Sequence, residues 1–298
     1  MAYHYQLYQF GISSELPLPE LQPASDIEPE VRIRYASICL PLQDEARQLG
    51  PYLWASATAF YLRVPDVADF LIQNGNEIII APHPGIDEDS IRVFLLGSAF
   101  GALMFQRRHL VLHGNAVQVG DACLVCVGPS GAGKSTLAAA LMQRGHKLLA
   151  DDVVPVNAQC QALPGFPRIK LWQDSADHLQ IATAALAPIR PGLEKFNLPT
   201  MSDMAPQPLA IRWVYILSAH NEDTFSFEPI HGMARFQSLR NNTYRLRFLE
   251  GMQMQAEHLQ LCARLSNQIR LVRITRPRTG FALDELAERI LADAAAHP

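Results

Sequence analysis

The chain has 298 residues, 49% of them apolar, and a formal net charge of −4, enough to bury a substantial core as one large domain or two modest ones. No long basic block is present, which excludes general affinity for nucleic acid or an anionic membrane on compositional grounds. The opening MAYHYQLYQF lacks the basic segment and apolar run of a signal peptide, and no apolar stretch reaches the length of a membrane span. With five scattered cysteines (Cys39, Cys123, Cys126, Cys160 and Cys262), a reducing cytoplasm is expected rather than a disulfide scaffold.

In chain order, the first eighty residues read as strands. VRIRYASI (31–38) opens with alternating apolar and polar residues, AFYLRV (59–64) is aromatic and branched, and FLIQNGNEIII (70–80) carries Asn74-Gly75 between apolar runs, a hairpin signal. APHPG (81–85) then breaks the pattern and sets an expected boundary. Residues 1–85 are thus expected to form a small β-rich N-terminal domain, either a peptide-recognition module that adds a strand to an open edge or a structural cover. Residues 86–298 are expected to form the second domain.

That domain begins with a helical pattern from Asp87 to Arg108, in which Val93 to Phe105 reads as a buried helix. LVLHGNAVQVGDACLVCVG (110–128) predicts a hairpin turning at Gly120-Asp121, with Ala122 to Val127 running into a glycine-rich loop. Cys123 and Cys126 sit three apart on that strand, face opposite sides and read as buried side chains rather than a zinc pair. STLAAALMQR (135–144) predicts a helix stopped by Gly145, and HKLLADDVVPV (146–156) a strand carrying Asp151 and Asp152. Prolines between 155 and 208 indicate loops with short elements. IRWVYIL (211–217) and IRLVRIT (269–275) read as strands and AEHLQLCARLSN (256–267) as a helix. ALDELAERILADAAA (282–296) reads as a closing amphipathic helix with Leu283, Leu286, Ile290 and Leu291 on one face. The pattern is a β-rich front followed by an α/β body, without internal repeats.

GPSGAGKST (128–136) contains the pattern G-x-x-x-x-G-K-[ST] in Gly128, Gly133, Lys134 and Ser135, with Ser130, Gly131, Ala132 and Thr136 completing the expected nucleotide-binding segment. Glycines let backbone N–H groups turn inward toward a triphosphate, Lys134 can reach the β- and γ-phosphates, and the Ser135 hydroxyl can ligate Mg²⁺. Of 25 Lys and Arg residues only four are lysine (134, 147, 170 and 195), so a lysine at 134 stands out: a compact ammonium fits where a guanidinium fork does not. Asp151 and Asp152 are expected at the end of the next strand, beside the loop in a parallel sheet. One carboxylate can hold the metal or its water and the other can accept a proton, and adjacent strand residues pointing opposite ways argue against identical roles. His113, fifteen residues before Gly128, is a candidate to orient an aspartate or to respond to pH, with a structural histidine as the alternative.

The stretch from Leu112 to Val154, with its His-Gly before the hairpin, its loop, "RGH" and Asp-Asp, resembles the core of the HPr kinase/phosphorylase family. The resemblance implies a P-loop kinase core of the type related in fold to phosphoenolpyruvate carboxykinase, using ATP and Mg²⁺. His113, Lys134 and Asp152 fall on the family's catalytic positions, with Asp152 the proton acceptor. Ser135 falls on the Mg²⁺ position, and Asp151 is assigned to the metal or its water. This chain departs from the family pattern at Thr136, where the family has Glu, and has no glutamate between Asp152 and Glu194. In place of the family's later acidic motif stands PGFPRIKLWQDS (164–175), where Arg168 and Lys170 can meet phosphate charge and Asp174 can replace the missing acid. ELPLPEL (15–21), PGFPRIKLW and RITRP (273–277) look more like the shorter serine kinases of this family that resemble lasso peptide kinases. Those act on the C-terminal serine of a precursor peptide. The expected partners are therefore ATP and a peptide or protein with an acceptor serine, not nucleic acid or membrane, with a homo-oligomer left open. Alternatives are HPr kinase/phosphorylase itself, a small-molecule kinase, or a P-loop ATPase or switch that is not a kinase; no LSGGQ stretch supports the last.

Overall fold

A computed structural model describes residues 2–38, 46–186, 188–189, 193–278 and 282–298; Cys39 lies outside the described residues. The chain forms two compact units, Met1–Val111 with Tyr244–Leu261, and Leu112–Thr243 with Cys262–Pro298.

The first unit is built on a nine-stranded sheet. Its strands are β1 (Tyr3–Leu7), β2 (Phe10–Ser14), β3 (Gln22–Pro23), β4 (Pro29–Tyr35), β5 (Arg47–Gly50), β6 (Leu53–Ala55), β7 (Ala59–Val64), β8 (Ala68–Gln73) and β9 (Glu77–Pro82). Their order across the sheet is β3-β1-β2-β4-β9-β8-β7-β6-β5. The Asn74-Gly75 turn joins β8 to β9, with φ of 55° and 67° at the two residues.

This unit extends well past the expected boundary at residue 85. APHPG ends a strand rather than a domain, because the helical segment after it is apolar enough to cover the same sheet. That segment comprises α1 (Glu88–Phe94), a π-helical turn (Leu95–Ala99) and α2 (Phe100–Gln106). Ile91, Leu95, Phe100, Leu103 and Phe105 are buried, and Gln106 Nε2 donates to the Ile72 carbonyl of β8 at 3.0 Å. Residues 244–261 also return to this unit, where Phe248 packs on Phe60 with ring centroids 4.4 Å apart. Nothing local in the sequence marks that return.

In the second unit, β10 (Leu110–Val119) and β11 (Ala122–Val127) form the expected hairpin, with Gly120 at φ 62° in its turn. Helix α3 (Lys134–Gln143) leads to β12 (Lys147–Val156) and β13 (Gln161–Ala162). The proline-rich stretch holds a separate ribbon of β14 (Arg168–Trp172) and β15 (Lys195–Pro199), flanked by the short helix Gln173–His178. Then come β16 (Leu209–His220), β17 (Ser226–Pro229), the helix Met233–Asn241, the part of the helix Gln255–Gln268 from Cys262 onward, β18 (Arg270–Pro277) and the closing helix Leu283–Ala296.

The main sheet runs β11-β10-β12-β13-β16-β18-β17, and β11 also pairs with β16, so five strands close on themselves. It is mixed, not parallel. β11, β16 and β18 run parallel as neighbours, whereas β12 lies beside β10 and β13. Helix α3 and the closing helix cover it, burying Leu137, Leu141, Leu286 and Ile290 against Leu124, Tyr215, Leu217 and Val272. Cys123 and Cys126 are buried within β11. Among the described residues no helix is long and apolar enough to cross a membrane, and no three His, Cys, Asp or Glu residues cluster as a metal site.

Candidate active site

The site starts where β11 stops. Residues 128–133 turn through Gly128 (φ 145°), Gly131 (φ 79°) and Gly133 (φ 93°), a region that side chains disfavour. A Cβ at Gly128 would lie 2.5 Å from the Leu217 carbonyl oxygen, so the loop can pass β16 only as glycine. Lys134 follows as the first residue of α3, buried at 8% exposure. Its ammonium donates to the carbonyls of Gly128 (2.9 Å) and Pro129 (3.0 Å). Burial pulls its pKa down, while the carboxylates of Asp152 and Asp151 oppose that shift.

Ser130, Gly131, Gly133, Lys134, Ser135 and Thr136 line an open cleft of about 320 Å³. Gly128 and Ala132 shape the loop without lining it, and the Ala132 N–H is held by the Pro129 carbonyl at 3.2 Å. Thr136 shares a 2.8 Å hydroxyl–hydroxyl hydrogen bond with Ser175, which pins α3 to the short helix after β14.

The two aspartates do not end their strand, as the sequence pattern suggested. β12 runs four residues further, through the buried Val153, Val154 and Val156. A regular strand would send 151 and 152 to opposite faces. Asp152 instead adopts φ 71°, in the left-handed region, and this kink brings both side chains to the same cleft.

Their electrostatic states diverge. Asp151 is buried, with Oδ1 accepting from the Ser135 hydroxyl (3.0 Å) and from Asn115 Nδ2, and Oδ2 accepting from the Lys170 backbone N–H (2.9 Å). Desolvation, then the charge of Asp152, pushes its pKa up. At Asp152 burial also resists ionisation, but Lys170 overrides it. The Lys170 ammonium sits 2.9 Å from Oδ2, and its charge and hydrogen bond lower the pKa to about 2.

His113 Nδ1 lies 3.1 Å from the Asp152 carbonyl and 3.4 Å from its Oδ1. A carbonyl only accepts, so Nδ1 carries the proton and Nε2 is the basic nitrogen. Desolvation, then Lys134, lowers the pKa of this imidazole, which favours its neutral form.

Of the sequence candidates, Arg168 does not join the cleft. It begins β14 two residues before Lys170, and its guanidinium turns over the Phe166 ring at 5.5 Å. Asp174 does line the cleft, from the first turn of the short helix. Asn115, Trp172, Lys195 and Arg276 also line the cleft, though no motif in the sequence singles them out. The scarcity of lysine was the available signal: three of the chain's four lysines, 134, 170 and 195, face this one cleft. Asn115 is buried at 1% exposure, and among the described residues its Oδ1 has no hydrogen-bond partner. Nothing in the local sequence marks it.

The fold and site together define a mixed α/β protein with a glycine-rich loop facing a pair of carboxylates. Residues 106–172 match the family described as HPr Serine kinase C-terminal domain. Ninety-three residues are 29% identical to an HPr kinase/phosphorylase of Prosthecochloris aestuarii, covering 31% of this chain and 26% of that protein. Forty-five residues are 49% identical to an HPr kinase/phosphorylase of Chlorobium phaeobacteroides, covering 15% and 13% respectively. The solved HPr(Ser) kinase/phosphatase from Coxiella burnetii aligns with a TM-score of 0.30 and 14% identity, over 63% of this chain and 89% of that one. Residues 106–172, which supply His113, the glycine-rich loop, both aspartates and Lys170, are therefore similar to the HPr Serine kinase C-terminal domain, and the chain spans about a quarter or less of the length of these curated relatives.

Proposed function

We propose that this chain is an ATP- and Mg²⁺-dependent cytoplasmic kinase that moves the γ-phosphoryl group onto a serine hydroxyl of a peptide or protein. The observation that carries this reading is the meeting, in one cleft, of the loop ammonium of Lys134, the Ser135–Asp151 pair and an ionised Asp152. Family relatedness of residues 106–172 supports the same chemistry.

The residues fit Mg²⁺. Ser135 and Asp151 offer hard oxygen ligands 3.0 Å apart. Few protein ligands suffice, because Mg²⁺ keeps waters and shares substrate phosphates. Bound there, the ion would offset charge on the phosphate oxygens.

Lys134 stabilises negative charge on the same oxygens. Asp152 orients the acceptor hydroxyl and takes its proton as the serine oxygen bonds to the γ-phosphorus. The bond from that phosphorus to the bridging oxygen breaks, and ADP leaves with the electron pair. A carboxylate with a pKa of about 2 is a weak base, which suits a loose transition state where positioning and charge stabilisation dominate. His113 Nδ1–H holds Asp152 in place.

As acceptor we propose the C-terminal serine of a lasso-type precursor peptide. Such an end carries a carboxylate beside its hydroxyl, and Lys195, whose ammonium lies over the exposed Trp172 ring at 5.4 Å, offers a cation on the cleft wall. The edge strands β3 and β5 of the first unit suit the recognition of an extended peptide. A second reading, HPr as acceptor, is favoured by the names of the curated relatives.

Incubating the chain with radiolabelled ATP, Mg²⁺ and each of three acceptors separates these readings: a peptide ending in serine, the same peptide amidated at its C-terminus, and HPr. Label on the free-acid peptide alone is the expected result. Label on HPr alone replaces the acceptor, and ATP hydrolysis with no phosphorylated product removes the kinase reading.

A further inference from the structure

A second, smaller recess lies beside the first turn of α3. Its walls are Phe225, Pro277, Ala282, Leu283 and Leu286, an apolar set, and Gly133, Thr136 and Arg276 belong to both the recess and the cleft. The two cavities therefore adjoin at the glycine-rich loop, one charged and one apolar. A nucleotide has the same division, a polyanion joined to a flat apolar heteroaromatic ring. We propose that this recess receives the nucleobase and that Arg276 binds the phosphates as they pass from it into the cleft. The proposal rests on the nucleotide-dependent reading of the cleft given above.

Topology places these groups together. β11, β16 and β18 are parallel neighbours with Val127 opposite Ile216 and Ala219 opposite Arg276, so the loop after β11 and the end of β18 emerge at the same carboxyl edge of these three strands. The Arg276 guanidinium stands 3.6 Å from where a Cβ on Gly133 would lie, and it donates to the carbonyls of Ala132 (3.3 Å) and Pro277 (2.9 Å). Those partners are neutral, whereas the other arginine of β18 with a buried-side partner, Arg270, holds the Asp293 carboxylate at 2.7 Å. Burial lowers the pKa of Arg276, a cost that a bound phosphate would offset. A planar guanidinium can fork phosphate oxygens or stack on a base, so one residue can serve at the junction.

Phe225 supplies the aromatic wall, braced by Arg289 over its ring at 5.3 Å. The recess encloses only about 40 Å³, so the base would lie against Phe225, Pro277 and Leu283 with one edge in solvent.

Binding of ATP and of inorganic tripolyphosphate to the full chain, by calorimetry, tests this. Ala282→Trp, which fills the recess, and Phe225→Ala, which removes its wall, should each weaken ATP about tenfold, the scale of one base–aromatic stack, and leave tripolyphosphate unchanged. Arg276→Ala should weaken both ligands. Wild-type ATP affinity in Ala282→Trp and Phe225→Ala would overturn the base assignment, as would equal losses for ATP and tripolyphosphate in both. Unchanged binding in Arg276→Ala would overturn the phosphate role. Wild-type protein that binds neither ligand would instead sink the nucleotide reading itself.

Discussion

The glycine-rich loop and the middle of β12 bring charge to one cleft by opposite means. The loop takes its positive φ angles at Gly128, Gly131 and Gly133, where no Cβ opposes them, so its shape is intrinsic to its composition. β12 turns left-handed at an aspartate, at a cost on the order of 1 to 2 kcal/mol. That kink persists because Lys170 and His113 grip the residue from two directions. The loop is thus a local device and the kink a tertiary one. The kink is also where charge is tuned, since two adjacent carboxyls are driven apart, Asp151 up by burial and Asp152 down to about 2.

Removing the loop's cation should have the largest effect. Lys134→Ala is expected to lower phosphoryl transfer by roughly 10³-fold, the scale of losing a preorganised charge-stabilising group. Wild-type turnover in a radiolabel assay would refute the site. Asp152→Asn comes next, with transfer reduced by roughly 10²-fold or more while calorimetry still finds ATP bound. Full activity would move the proton acceptor elsewhere. The same variant has a pH signature. The folded pKa of Asp152 is depressed from 3.8, so its stabilising contribution is complete above that value and is lost as pH falls through about 2. The stability gap between wild type and Asp152→Asn should therefore close in acid, and a gap constant from pH 7 to pH 2 would deny the Lys170 pairing.

His113→Ala should cost transfer roughly tenfold, the worth of one orienting hydrogen bond, with an unchanged circular dichroism spectrum. An unfolded but otherwise competent variant would make His113 a structural residue. The smallest effect isolates the backbone. Asp152→Gly and Asp152→Ala lose the same carboxylate, but glycine should be more stable by about 1 kcal/mol in denaturant unfolding, because only alanine opposes φ 71°. Equal stabilities would mean that the kink stores no strain and differs less from the loop than its dihedral suggests.

What can be read without coordinates follows the same division. Requirements met by neighbours in sequence are legible: the Gly120-Asp121 turn, the strand before the loop, the helix after it and the apolar face of the closing helix all match their residues. The kink was not, because β periodicity assigns adjacent aspartates to opposite faces, and only the grip of Lys170 makes the exception. Arg168 and Lys170 share one face of β14, and which of them reaches the cleft depends on two residues of extension, about 7 Å. Asn115 and Arg276 sit 161 positions apart and meet one cleft through strand pairing alone.

The sequence by itself therefore determined the phosphate-type loop, its flanking strand and helix, and the chemical types available to the site, since each depends on dihedral preference or periodicity within a few residues. Tertiary structure decided the mixed strand order, the two-unit division with residues 244–261 returning to the first, and the opposite pKa shifts of Asp151 and Asp152. Those properties arise from burial and charge at contacts between distant residues, energies that no stretch of chain carries alone.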